Sequence, residues 1–474
     1  MLFNSLIFFV FATVFFSFFW IVKKQKIQLA WIYIVVFSFI FYGWWDWRFL
    51  FLILGSGLID FFAGWMIYKH RKFRNPLLIL SLLANLGILF SFKYSKFIFS
   101  QIEALFSYFD VTLHLTKNLP AFLSILPIGI SFYTFQSMSY TIDVYKGNLK
   151  PTKNIFKFFA FLSMFPQLVA GPIVRSRTLL PQLEKMRQTN EVERWHGLQL
   201  IAFGYFKKVL LADNLAPMVN TAFADIHQTS STIYWWMTML GFAFQIYCDF
   251  SGYSDIARGL AKIMGFHFKM NFDHPYLSGS FKEFWQRWHI SLSTWFRDYV
   301  YIPLGGSRKG KFRSHLNMWI TMVVSGFWHG ASWNFVIWGW LHALYLSLER
   351  WSKWPKRLSK LNLKWLAVIL VMFQVTLAWV FFRAQTFSDA ITILKNMLWF
   401  NTNVDFKITD DIRNGFYFIL LALSIEYVFY RIKIRHIFKN ELHRRIAEVA
   451  LIALMITITI FLRGKGHAFI YFQF

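Results

Sequence analysis

The sequence holds one cysteine, Cys248, in 474 residues, so it carries no internal disulfide framework and no thiolate cage for a metal. It is also short of acid, with 23 Asp and Glu against 50 Lys and Arg, and all charged residues together make up only 15% of the chain. No repeat period, low-complexity tract or separate polar domain is visible, so residues 1–474 read as a single domain. What fills the chain instead is apolar: 57% of residues are hydrophobic and 21% aromatic. That is too greasy for a water-soluble protein of this length. Lipid is the expected solvent, and the fold class that follows is an all-α polytopic membrane protein.

Crossing about 30 Å of hydrocarbon takes roughly 20 apolar residues in a helix, and about ten or eleven such runs recur along the chain. The first, Leu2 to Val22, is followed by Lys23, Lys24 and Lys26; it is too long for a signal-peptide core and is expected to be a retained helix. A net charge of +27 would suit a nucleic-acid binder if it lay on one soluble face. Here the cations sit in short clusters between apolar runs, at Lys23 to Lys26, Lys69 to Arg74, Arg350 to Lys364 and Arg431 to Arg445. Positive-inside topology accounts for that pattern and predicts all four clusters in the cytoplasm, with both termini outside. It also suits anionic lipid heads and polyphosphate ligands.

Up to about Phe92 the chain reads as four plain spans. Between Pro120 and Trp340 the texture changes, because Gly, Pro and ionisable residues interrupt the apolar runs, among them Pro127, Gly171, Asp249, Asp255, His289, Arg297 and His329. Broken or re-entrant helices of that kind survive at membrane depth only where protein or a water cavity satisfies the freed backbone groups. The site is therefore expected here, with core motifs over about 120–345. In Phe284 to Tyr299, helical spacing places His289, Ser293 and Arg297 on one stripe, one turn apart. An amphipathic helix at headgroup depth has the same pattern. In Ser325 to Leu344, His329 and His342 fall in or beside an apolar span, where ionisable groups are costly and mark function by default. A lone buried imidazole is also a common packing residue, but Gly326 and Gly330 beside His329 admit a close approach of backbone or ligand. Histidine is the natural general base near neutrality.

These stretches, with Leu126 to Tyr145, Phe158 to Arg175 and Phe242 to Leu260, resemble the membrane-bound O-acyltransferase (MBOAT) family. The resemblance is to its alginate and peptidoglycan O-acetyltransferase group, which also takes in the D-alanyl transfer protein of teichoic acid. It covers almost the whole chain and implies an MBOAT-like fold with re-entrant and interfacial helices. Position by position, His329 in Trp-His-Gly matches the family's catalytic histidine and His289 in Arg-Trp-His-Ile-Ser a second histidine of the same tunnel. Arg297 and Asp298 match an Arg-Asp pair that either ties the helix or meets ligand. Asp249, Ser251, Tyr253 and Asp255 match an acidic, hydroxyl-rich segment whose plainer reading is helix capping. Gln136 and Gln167 either line the tunnel or are satisfied buried amides, and Cys248 departs from the aromatic or small residue expected there. Phe469 to Phe474, FIYFQF, resembles a short aromatic motif of acyl-export systems in which the tyrosine, here Tyr471, carries the acyl group; a greasy tail packed at the interface is the plain alternative.

The resemblance further implies a bacterial inner-membrane acetyltransferase that moves acetyl groups from cytoplasmic acetyl-CoA, a substrate rather than a bound cofactor, with no metal. Arg308, Lys309, Lys311 and Arg313 are candidates for the donor's phosphates, or plain positive-inside anchors. The expected partners are membrane lipids, an outer-face protein of the SGNH type and a polysaccharide acceptor. A D-alanyl exporter is the alternative within the family, and a polysaccharide transporter or flippase the alternative outside it.

Overall fold

A backbone in hydrocarbon has no water to bond to, so a spanning chain closes its hydrogen bonds within each helix. The computed structural model describes residues 1–169, 171–401, 408–431, 440–467 and 469–470, and these are mostly helical, with turns and loops between the helices and no strand among the described residues. Five helical stretches among them are long and apolar enough to cross a membrane: Leu6–Gln25, Ile27–Lys69, Arg71–Ser107, Lys364–Arg383 and Asp410–Tyr430. By Cα proximity the residues group into two compact units, 1–197 with 257–269 and 198–256 with 270–474.

The first unit contains α1 (Leu6–Gln25), α2 (Ile27–Asp46), α3 (Leu50–Lys69), α4 (Arg74–Leu89), α5 (Ser95–Ser107), α6 (Ile130–Tyr145), α7 (Ile155–Ser163), α8 (Phe165–Leu168) and α9 (Ser176–Lys185), and α10 (Glu191–Tyr205) begins in it. The four plain spans expected here are α1 to α4. Phe residues spaced along one side of α1, Phe8, Phe11, Phe15 and Phe19, are buried, and Phe165 of α8 seats against Phe11, Phe15 and Phe41. Lys23, expected only as a positive-inside anchor, has its Nζ donating to the carbonyls of Arg187 (2.7 Å) and Met264 (2.9 Å).

One feature of this unit was not expected from its apolar composition. Asp60 lies inside α3, wholly buried, and its carboxylate accepts from Ser81, from Asn85 Nδ2 (2.9 Å), from Ser137 and from Thr141 (3.0 Å). Ser56 adds a bond to Asn85 Oδ1 at 2.7 Å. A buried carboxylate is expensive unless hydrogen-bonded, and here four neutral donors from α4 and α6 answer it, lacing three helices together.

The second unit takes the rest of α10, then α11 (Asp213–Ala224), most of α12 (Thr232–Met264), α13 (Phe281–Arg287), α14 (Ile290–Phe296), α15 (Gly310–His329), α16 (Trp333–Ser352), α17 (Trp354–Lys360), α18 (Lys364–Arg383), α19 (Phe387–Leu398), α20 (Asp410–Arg431) and α21 (Glu441–Phe461). Interrupted helices are concentrated where the sequence placed them. Short α13 and α14 meet at a break, and π-turns occupy Phe206–Ala212 and Arg297–Tyr301. α15 and α16 pack backbone to backbone: a Cβ on Gly326 would stand 2.2 Å from the Phe335 carbonyl oxygen, and one on Gly339 2.4 Å from that of Met322. Only glycine permits that approach.

Candidate active site

His329 is the last residue of α15, almost fully buried, with Trp328, Trp338 and Phe382 around it at ring distances of 5.0, 5.1 and 5.2 Å. The glycine after it is there for space: a Cβ on Gly330 would come within 2.1 Å of the Phe335 ring. The close approach expected from Gly326 and Gly330 is thus made by α16.

His289 differs from its expected setting. The continuous helix that would set His289, Ser293 and Arg297 on one stripe is broken, because His289 adopts φ 42°, ψ 53°, the left-handed region, and caps α14 after α13 has ended. Such a conformation is uncommon outside glycine and costs on the order of 1 kcal/mol or more. Asn271 holds the break. Its carbonyl accepts from Ile290 N (2.9 Å), and its Oδ1 accepts from Ser291 N (3.0 Å) and Ser291 Oγ (2.9 Å). The two donations fix which amide atom faces the histidine. His289 Nδ1 lies 3.3 Å from that oxygen, so a proton on Nδ1 donates to it and Nε2 becomes the basic nitrogen. Asn271 itself donates to Ser254 Oγ at 3.2 Å. Of the expected stripe, Ser293 stays close, its Oγ 3.2 Å from the His289 carbonyl, while Arg297, exposed at the start of a half-buried π-turn, pairs with Asp298 (2.7 Å).

The two histidines share one aromatic cluster. Phe272 faces His289 and, at 5.0 Å, Trp288; Trp288 meets Trp379 of α18 at 5.1 Å; Trp379 stacks on Trp338 at 5.9 Å; and Trp338 touches His329. His342 is in this cluster too, wholly buried, with Trp338 at 4.2 Å and Trp285 at 5.0 Å. It packs as a ring, since neither of its nitrogens has a hydrogen-bond partner among the described residues.

The capping reading of Asp249, Ser251, Tyr253 and Asp255 is overturned: all four lie well inside the 33-residue α12. Asp249 and Asp213 both pair with Lys208 at 2.8 Å, all three side chains at most 3% exposed, and Asp255 pairs with Lys207. This triplet grips the end of the described chain. Lys208 Nζ donates to the His467 carbonyl (3.1 Å), Asp249 Oδ2 accepts from Ile470 N (2.7 Å), and Asn214 Nδ2 donates to the Leu462 carbonyl (2.8 Å). Phe469 packs on Tyr253 at 4.6 Å and Phe250 at 5.6 Å, and Phe250 in turn abuts His289 at 4.6 Å. Tyr471 lies outside the described residues.

Lys208 and Asp213 were missed in the sequence because a Lys-Lys pair between apolar runs looks like a positive-inside anchor. The available signal was an acid five residues on and another in the next long helix. Gln136 and Gln167 are both buried in the first unit, where Gln167 Nε2 donates to the Phe161 carbonyl at 2.6 Å. Arg308, Lys309, Lys311 and Arg313 stand exposed on a turn shaped by Gly305, Gly306 and Gly310, all at positive φ, and the start of α15. No cluster of His, Cys, Asp and Glu fit for a metal occurs among the described residues.

The family description "MBOAT, membrane-bound O-acyltransferase family" matches residues 79–388, which include His289 and His329. The chain belongs to that family. It is therefore a multi-pass membrane enzyme of acyl transfer, with an acyl donor as substrate. Among curated relatives, it is 38% identical to the probable alginate O-acetylase AlgI of Pseudomonas aeruginosa, over 85% of this acyltransferase and 76% of the relative. It is 35% identical to the peptidoglycan O-acetyltransferase of Helicobacter pylori, over 78% and 74% of the two chains. Similarity to the teichoic acid D-alanyltransferase of Streptococcus thermophilus is lower, 30% over 53% and 62%.

Proposed function

We propose that this enzyme moves acetyl groups from cytoplasmic acetyl-CoA across the bacterial inner membrane for O-acetylation of an envelope or secreted polysaccharide such as alginate or peptidoglycan. The observation that carries the reading is the aromatic cluster that joins His289 and His329, two buried imidazoles within one continuous set of packed rings. His329 acts as general base: it takes the proton of an incoming hydroxyl as that oxygen attacks the thioester carbonyl, and the C–S bond breaks as the C–O ester bond forms. The proton then leaves with the thiolate. His289, held by Asn271, orients the hydroxyl. Arg308, Lys309, Lys311 and Arg313, exposed and unopposed in sign, draw the donor's phosphates toward the enzyme by their charge.

The hydroxyl is that of Tyr471. Support comes from the segment before it, which Lys208, Asp213 and Asn214 and the Asp249 carboxylate hold beside Phe250, the ring neighbour of His289. A phenol with a pKa near 10 needs such a base nearby. From Tyr471 the acetyl ester passes to an outer-face SGNH-type partner and on to the polysaccharide, with residues 1–474 working as one membrane domain, both termini outside and the basic clusters inside. Export of the D-alanyl type is disfavoured by the shorter and weaker match to the D-alanyltransferases. The deciding experiment supplies labelled acetyl-CoA to purified enzyme: labelled ester on Tyr471 in wild type and none in His329→Ala supports the reading. Equal labelling of both would overturn the role of His329.

A further inference from the structure

A cleft of about 780 Å³ opens in the second unit where α17 and the start of α18 face the residues that lead into α13. Its volume is that of a small-molecule site. Lys356, Lys360 and Lys364 line it together with the rings of Trp365 and Tyr430. The three ammonium groups are exposed, and none has a carboxylate partner among the described residues. The acid that lines the cleft, Glu283, is already engaged, accepting from Gly279 N at 2.8 Å and pairing with Arg287 at 2.6 Å. The cleft therefore presents unbalanced positive charge beside two exposed rings, Trp365 at 52% and Tyr430 at 41%, the second with the Arg287 guanidinium over it at 5.7 Å.

We propose that this cleft binds a nucleoside polyphosphate, its phosphates on Lys356, Lys360 and Lys364 and its base stacked on Trp365 or Tyr430. Lysine meets phosphate through charge-assisted hydrogen bonds, and any base has a π-face to lay on an aromatic ring. The phosphates could equally belong to an anionic lipid head, but a lipid brings no base, so the rings commit the site to a nucleotide. The assignment rests on the donor reading above, since the adenosine-phosphate end of acetyl-CoA is such a ligand. The fold adds a match in length. α18 starts at Lys364 in the cleft and carries Trp379 in the aromatic cluster, roughly 22 Å away at the helical rise. A donor that holds its acyl group on a long flexible arm suits that separation.

The test uses the full chain in nanodiscs of zwitterionic phosphatidylcholine, with ADP and inorganic pyrophosphate as probes in calorimetry. ADP is expected to bind, and Lys356→Gln/Lys360→Gln/Lys364→Gln to weaken it at least tenfold, while the corresponding triple Lys→Arg variant keeps the affinity and so controls for folding and topology. Trp365→Leu is expected to weaken ADP severalfold and leave pyrophosphate unchanged. Lys69→Gln/Lys72→Gln alters neither. The proposal is overturned if ADP does not bind, if the Gln variant binds it as wild type does, or if phosphatidylglycerol in the disc displaces ADP through the same lysines. The donor reading fails separately: wild type that binds ADP here yet transfers nothing from acetyl-CoA loses the donor and keeps the cleft. An unchanged KM for acetyl-CoA in the Gln variant loses the cleft and keeps the donor.

Discussion

Each unit of this acyltransferase buries acid in an apolar surround, and the two answer the cost differently. In the first, Asp60 is met by neutral donors only, hydroxyls of Ser81, Ser137 and Thr141 and the amide of Asn85, so the group closes on itself and does no more than bind α3 to α4 and α6. In the second, Asp213 and Asp249 share Lys208, and the spare donor and acceptor capacity of that triplet is turned on the backbone of His467 and Ile470. A self-satisfied knot is a structural device. One that lends its bonds to another segment places that segment, and here it places it one ring away from His289.

The sharpest way to test that difference is to break the chemistry while leaving both knots intact. His329→Ala is expected to lower acetyl transfer by about a hundred-fold to ten-thousand-fold, the range for loss of a general base, at unchanged protein level in the membrane. Near-normal acetylation of the glycan in cells would remove His329 from the mechanism. Tyr471→Phe retains the ring and loses the hydroxyl, so export is expected to stop while partner capture persists; robust export in that variant would leave direct transfer to the partner.

Next comes the ionic knot itself. Lys208→Met strands two buried carboxylates, which is expected to destabilise the second unit by about 3–5 kcal/mol. It is also expected to release the segment at 462–470, so that a cysteine at position 467 in a Cys248→Ser background becomes reactive to a thiol reagent. Lys208→Arg should restore both. A cysteine that stays protected in Lys208→Met shows that the triplet does not hold the segment.

The smaller effect is expected in the first unit. Asp60→Asn keeps the shape but sets its amide against that of Asn85, at a cost of about 1–3 kcal/mol, with activity per folded molecule near that of wild type. Thermal unfolding in detergent alongside specific activity reads both quantities. Activity lost with an unchanged Tm would make Asp60 part of the chemistry and dissolve the comparison.

The sequence makes the first of these regions and the chemistry of the second unequally visible. The histidines stand out because each sits in an apolar, Trp-rich run where a polar ring needs a reason. The spans at α18 and α20 are plain in hydropathy. Asp60 was readable in principle as a lone acid in mid-span, but four apolar runs around it hid the serines and the asparagine that answer it. The break at His289 carries no Gly or Pro to announce it; Asn271 makes it, and Asn271 comes near only once the chain has folded. The Lys208 triplet is hidden for the same reason, since its partners lie on α11 and α12 and on the segment after α21.

The backbone at His289 has a consequence for anyone who engineers this enzyme. A left-handed residue is a standing invitation to Gly or Asn, which tolerate that geometry better than an imidazole does. A library selected for expression or heat resistance alone would therefore be drawn to position 289, and what it collected there would be well-behaved protein with its second histidine traded away. Selection for robustness has to be coupled to acetylation, or the strain that is relieved first will be the strain that the site depends on.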